Sequence, residues 1–138
     1  MAEEATFNSS FTLVKDNVNY RAYPTSFKVD VDSDGKGPTP GAVTATTEGV
    51  DVSLSELTTP GVCRIRNLGS NTVHYGIHDG SNFFPFGEVR AGCHADFVFS
   101  SMFGDSLAST GTADEGDVTL RVLAENADTD VTVEAFEA

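Results

Sequence analysis

Apolar and polar residues alternate with a period of two along nearly the whole chain, and no other feature limits the fold so tightly. The pattern recurs in SSFTLVK, SFKVDV, AVTATT, VDVSLSEL, VCRIRNL, TVHYGIH, ADFVFSS, DVTLRVLAE and DVTVEAFEA, each of strand length. Between these runs fall DNVN, DSDGKGPTPG, TTPG, LGSN, HDGSN, RAG, TADEGD and ENADTD, rich in the Gly, Asn, Asp and Pro that turns require. No window carries a 3.6-residue apolar repeat for more than two helical turns. The prediction is an all-β, single-domain antiparallel β-sandwich with a jelly-roll-like strand order. Short strands with one apolar face each are satisfied by two facing sheets. At 138 residues the chain is the size of one domain, able to bury roughly two thirds of its unfolded surface. Residues 1–41 read as an N-terminal arm or hairpin followed by a flexible loop over 33–41 that lets the first two strands hinge away.

Ten Phe and three Tyr, with no Trp, are expected to fill much of the layer between the sheets. Phe97 and Phe99 share one strand face, and Val73, Tyr75 and Ile77 share another. NFFPFGEV contains Pro85, which donates no ladder hydrogen bond and so belongs at a sheet edge or bulge. That placement makes Phe83, Phe84 and Phe86 candidate contact residues.

Eight Lys and Arg against 21 Asp and Glu leave a net charge of −13. Such a field opposes approach to phosphate or to an anionic membrane surface, so neither nucleic acid nor membrane is an expected partner. MAEEATFNSS lacks the basic flank and apolar run of a signal peptide, and no stretch approaches the roughly 20 apolar residues that cross a bilayer. Synthesis in the cytoplasm without export is expected. Cys63 and Cys93 are too few for a disulfide framework, so a bridge between them is not needed, and both are expected as buried small hydrophobes.

VDVDSDGKGP spaces Asp30, Asp32 and Asp34 two apart before Gly35, as a calcium-binding loop of the EF-hand type begins. The bidentate Glu such a loop needs at its twelfth position is replaced by Gly41, and a strand rather than a helix leads in. An EF-hand is excluded. The three carboxylates are left as a weak calcium candidate, read first as an acidic turn between strands.

FVFSSMFGDSLASTG holds Gly104, Asp105, Ser106 and Leu107, which look like the nucleophile block of the GDSL esterases. That family supplies its base from a downstream His, and here no His follows Ser106. His74 and His78 share a strand face but stand about 13 Å apart at roughly 3.3 Å per residue, too far for one ion unless the chain bends at Gly76. His94 and Asp96 beside Cys93 form a further, weaker cluster. No catalytic constellation emerges, and the chain is expected not to be an enzyme.

Arg64 and Arg66 alternate with inward residues and point away from the core. Scarce cations on an acidic surface, they are candidates for pairing with a neighbouring subunit or, equally, with acidic residues of their own chain.

Residues 60 to 99 carry a distinct succession of turns and strands. The pattern is a Pro-Gly turn, a strand closing on Asn-Leu, a strand with Val and then Gly, an aromatic-Pro hairpin, and an Ala-Gly turn into an apolar strand. Pro60-Gly61, Asn67-Leu68, Val73 with Gly76, Phe84-Pro85 and Ala91-Gly92 occupy those places, and Cys93 stands where the pattern carries an acidic residue. This succession resembles that of small virion structural proteins of tailed bacteriophages, and the resemblance implies a non-enzymatic role in the virion. The expected form is a capsid decoration protein that binds the major capsid protein or other virion proteins as a homo-oligomer, a trimer by preference. The alternatives are a neck, tail or baseplate component, or a calcium-dependent carbohydrate-binding sandwich using Asp30, Asp32 and Asp34.

Overall fold

The computed structural model describes residues 3–31, 36–100 and 118–137, and within them every regular element is a strand. Ten strands follow one another: β1 (Glu3–Lys15), β2 (Val18–Val31), β3 (Thr39–Ala45), β4 (Val50–Val52), β5 (Pro60–Asn67), β6 (Val73–His78), β7 (Phe83–Val89), β8 (His94–Val98), β9 (Thr119–Ala124) and β10 (Thr129–Glu137). No helix among the described residues is long and apolar enough to cross a membrane.

From β3 onward the pairing is nested. β3 pairs with β10, β4 with β9, β5 with β8 and β6 with β7, all antiparallel, as in one long hairpin doubled back between His78 and Phe83. Rolling that ribbon on itself places β10 beside β5 and β9 beside β6. Two four-stranded sheets result, β3-β10-β5-β8 and β4-β9-β6-β7. This is the jelly-roll order that the alternating pattern led us to expect.

The alternation sets what each strand buries. In β10, Val131, Val133 and Ala135 are fully buried, while Thr132, Glu134 and Phe136 turn to the other face. Ile65, Val73, Val89 and Val122 meet them from the neighbouring strands and the facing sheet to form one core. Asn67 is the main polar intrusion. Its buried amide donates to the Asn71 carbonyl at 2.6 Å and the Val89 carbonyl at 2.9 Å, and accepts from the Gly69 N–H at 2.9 Å, tying the end of β5 to the start of β6 and the end of β7.

One run departs from the period-two reading. VDVSLSEL pairs as a strand only over Val50–Val52; beyond it the Leu57 N–H donates to the Leu54 carbonyl at 2.9 Å, and that turn drops Leu57 into the core. Leu54 and Leu57 are three apart, a turn spacing that the alternation of the preceding residues hides. The cysteines also part company. Both are free thiols, Cys63 buried in the core and Cys93 exposed at a turn, so the expectation of two buried thiols holds only for Cys63.

β1 and β2 stand outside the two sheets as a separate two-stranded ribbon. A two-residue turn, Asp16-Asn17, joins them, with Asp16 at a φ of 49° as primed hairpin turns require.

Candidate functional site

The ribbon has two unlike faces. Ala5, Phe7, Phe11 and Leu13 of β1 lie opposite Val29, Phe27, Ala22 and Tyr20 of β2, and Val18 follows opposite Lys15. The intervening positions are polar except for Val14, which stands exposed opposite Asn19: Thr6 lies opposite Lys28, Asn8 opposite Ser26 and Thr12 opposite Arg21. The apolar residues of β2 change parity between Ala22 and Phe27, so strict alternation would send half of them to the polar face. A register shift corrects this. Two residues of β2, Tyr23 and Pro24, oppose the single Ser10, so the apolar residues on both sides of the shift share one face, with the polar pair Ser9 and Thr25 between them. The rings of Phe7 and Phe27 stack at 4.9 Å, and those of Phe11 and Tyr20 lie 6.1 Å apart.

Among the described residues, only the base of that face meets the two sheets. The outer face of the sheet β3-β10-β5-β8 carries the row Phe136, Val62, Val98 and, one level on, the row Glu134, Arg64, Asp96. Ala5, Phe7, Phe27 and Val31 face these rows across a cleft of about 1030 Å³. Val62 points outward from its sheet yet is only 5% exposed. Farther along the ribbon the cover ends: Phe11, Leu13, Val18 and Tyr20 are 58%, 44%, 52% and 56% exposed. Sequence reading named the arm but not this face. The signal was present in FTLV and VNYRA, masked by the parity change at Tyr23-Pro24.

A second apolar surface lies at the edge formed by β7 and β8. Tyr75 stacks on Phe97 with ring centroids 5.7 Å apart, Phe86 meets Tyr75 edge-on at 5.0 Å, and Phe99 meets Phe97 at 5.2 Å. Of the three candidate contact residues on this hairpin, Phe84 and Phe86 are exposed and Phe83 is half-buried. Pro85 sits, as expected, on the edge strand at a register shift. Gly76 of β6 lies opposite it, and a Cβ there would be driven into the Phe84 carbonyl oxygen and within 2.6 Å of the Pro85 Cα.

Arg64 and Arg66 both point outward, as their alternation required. Arg64 takes the intrachain option, with its Nε 3.4 Å from Asp96; His94 joins the same carboxylate at 3.0 Å. Burial, helped by the nearby carboxylates Asp96 and Glu134, pushes the Cys63 thiol up to about 12, leaving it protonated at neutral pH. On the opposite sheet Asp51 accepts from Arg121 at 2.7 Å and stands 3.1 Å from His78. Burial alone would raise the Asp51 carboxyl, but Arg121 and His78 hold it below its usual value.

No group of three or more His, Cys, Asp or Glu able to hold a metal ion occurs among the described residues, and His74 and His78 do not form one. Asp30 is exposed near the end of β2, while Asp32 and Asp34 of the calcium candidate and Ser106 of the GDSL block lie outside the described residues.

No family model, curated protein or solved structure matches this chain.

Proposed function

We propose that this chain is a non-enzymatic structural component of a bacteriophage virion, a decoration protein that binds the capsid surface as a homo-oligomer, with a trimer favoured. The observation that carries the reading is the edge of exposed aromatics at Phe84 and Phe86 on an otherwise strongly acidic jelly roll. Exposed rings gathered at one strand edge mark a surface that another macromolecule covers. They fall within residues 60–99, the segment whose pattern resembles virion structural proteins. The jelly roll adds little by itself, since the architecture serves capsid proteins, lectins and cupins alike.

The test is addition of purified protein to phage particles that lack it, followed by sedimentation and negative-stain imaging. Density at regular positions on the head is expected. Density confined to a neck, tail or baseplate would move the assignment to those assemblies, and failure to co-sediment with any particle would remove the virion reading. Phe84→Asp is expected to abolish binding while leaving the far-UV circular dichroism unchanged, because its ring is 54% exposed.

A further inference from the structure

Two strands cannot bury an apolar face alone; a ribbon of this kind needs a further layer for independent stability. The layer supplied by its own chain stops at Phe7, Phe27 and Val31, where the cleft against Val62 and Phe136 lies. Beyond the register shift, Phe11, Leu13, Val18 and Tyr20 form a contiguous patch with nothing over it among the described residues.

Charge decides what covers the patch. Beyond the register shift, ribbon residues 11–22 carry two cations, Lys15 and Arg21, against one carboxylate, Asp16, while Glu3, Glu4, Lys28 and Asp30 lie toward its base. Residues 32–138 carry five cations against 17 carboxylates. Two acidic bodies repel one another, whereas the distal end of the ribbon carries a net positive charge that an acidic body attracts. The geometry points to a second copy of this chain as the occupant: the distal half of the ribbon packs its apolar face on the body of a neighbouring copy, with Lys15, opposite Val18 on that face, set among that copy's carboxylates and Arg21 adding its charge from the polar face behind. Copies are then joined by their arms, a way of assembling that needs no change in the jelly roll itself.

This inference rests on the homo-oligomer in the proposed function and not on the virion. The full chain is examined by light scattering and sedimentation over a dilution series with no particle present. An oligomer is expected for the wild type. Leu13→Asp with Tyr20→Asp is expected to weaken association at least about a hundredfold, since two apolar side chains leave the interface, with an unchanged cooperative melt. Lys15→Glu with Arg21→Glu keeps every apolar contact and is expected to weaken association more at low than at high salt. It also decides the matter if the aspartate variant fails to fold. A monomeric wild type overturns the inference and assigns the patch to a different protein; so does an oligomer whose mass neither variant changes. A monomer that still binds particles overturns this inference alone, and an oligomer that binds none overturns only the virion reading.

Discussion

Cys63 and Cys93 sit on the same sheet system but meet different surroundings. The core holds the Cys63 thiol protonated, while Cys93 is open to solvent at the turn before β8. An aromatic disulfide reagent is therefore expected to titrate one thiol in the native protein and two in denaturant; two fast thiols in the native state would contradict the packing of β5. Asp51 gives a pH signature. Arg121 and His78 hold its carboxyl below the usual 3.8, so the native state binds fewer protons there than the unfolded chain. Its contribution is fully present above the unfolded value and disappears as pH falls through the folded one. Asp51→Asn is expected to cost about 0.5 kcal/mol at neutral pH, the size of a solvent-screened pair, with the difference closing below about pH 4. Chemical denaturation of both proteins at several pH values checks this.

At the scale of the element, β6 and β7 show how one residue sets a strand pair. Gly76 leaves room for the Phe84 carbonyl and Pro85 where the register shifts, and this placement opens Phe84 and Phe86 to solvent. Gly76→Ala is expected to destabilise the domain by about 1–3 kcal/mol through overpacking, read as a lower denaturation midpoint. A neutral Gly76→Ala would mean that the β6-β7 register is not as described. The ribbon makes the same point differently. Its alternation is visible in FTLV and again in SFKVDV, yet which residues share a face depends on the extra residue opposite Ser10, which only the pairing of β1 with β2 reveals. The surface in the further inference was for this reason illegible where the arm itself was not.

At the scale of the molecule, the net charge of −13 is opposed, among the described residues, by few ion pairs, such as Arg64 with Asp96 and Arg121 with Asp51. Self-repulsion should dominate at low ionic strength. Raising salt from about 0.01 to 0.15 M shortens the screening length from roughly 30 to 8 Å, and the melting temperature is expected to rise. A fall would mean that attractive pairs outweigh repulsion. The strand class, the turns, the outward Arg64 and Arg66 and the edge position of Pro85 were all legible because each follows from neighbours within a few residues: alternation assigns a face, and proline removes a donor. Nothing local told β5 to pair with both β8 and β10, placed Leu57 beneath a turn, or separated the fates of Cys63 and Cys93. Those were decided by the rolling of the nested hairpin. A chain's own pattern says which side of a strand is apolar, but only the strands brought against that side determine whether it is covered.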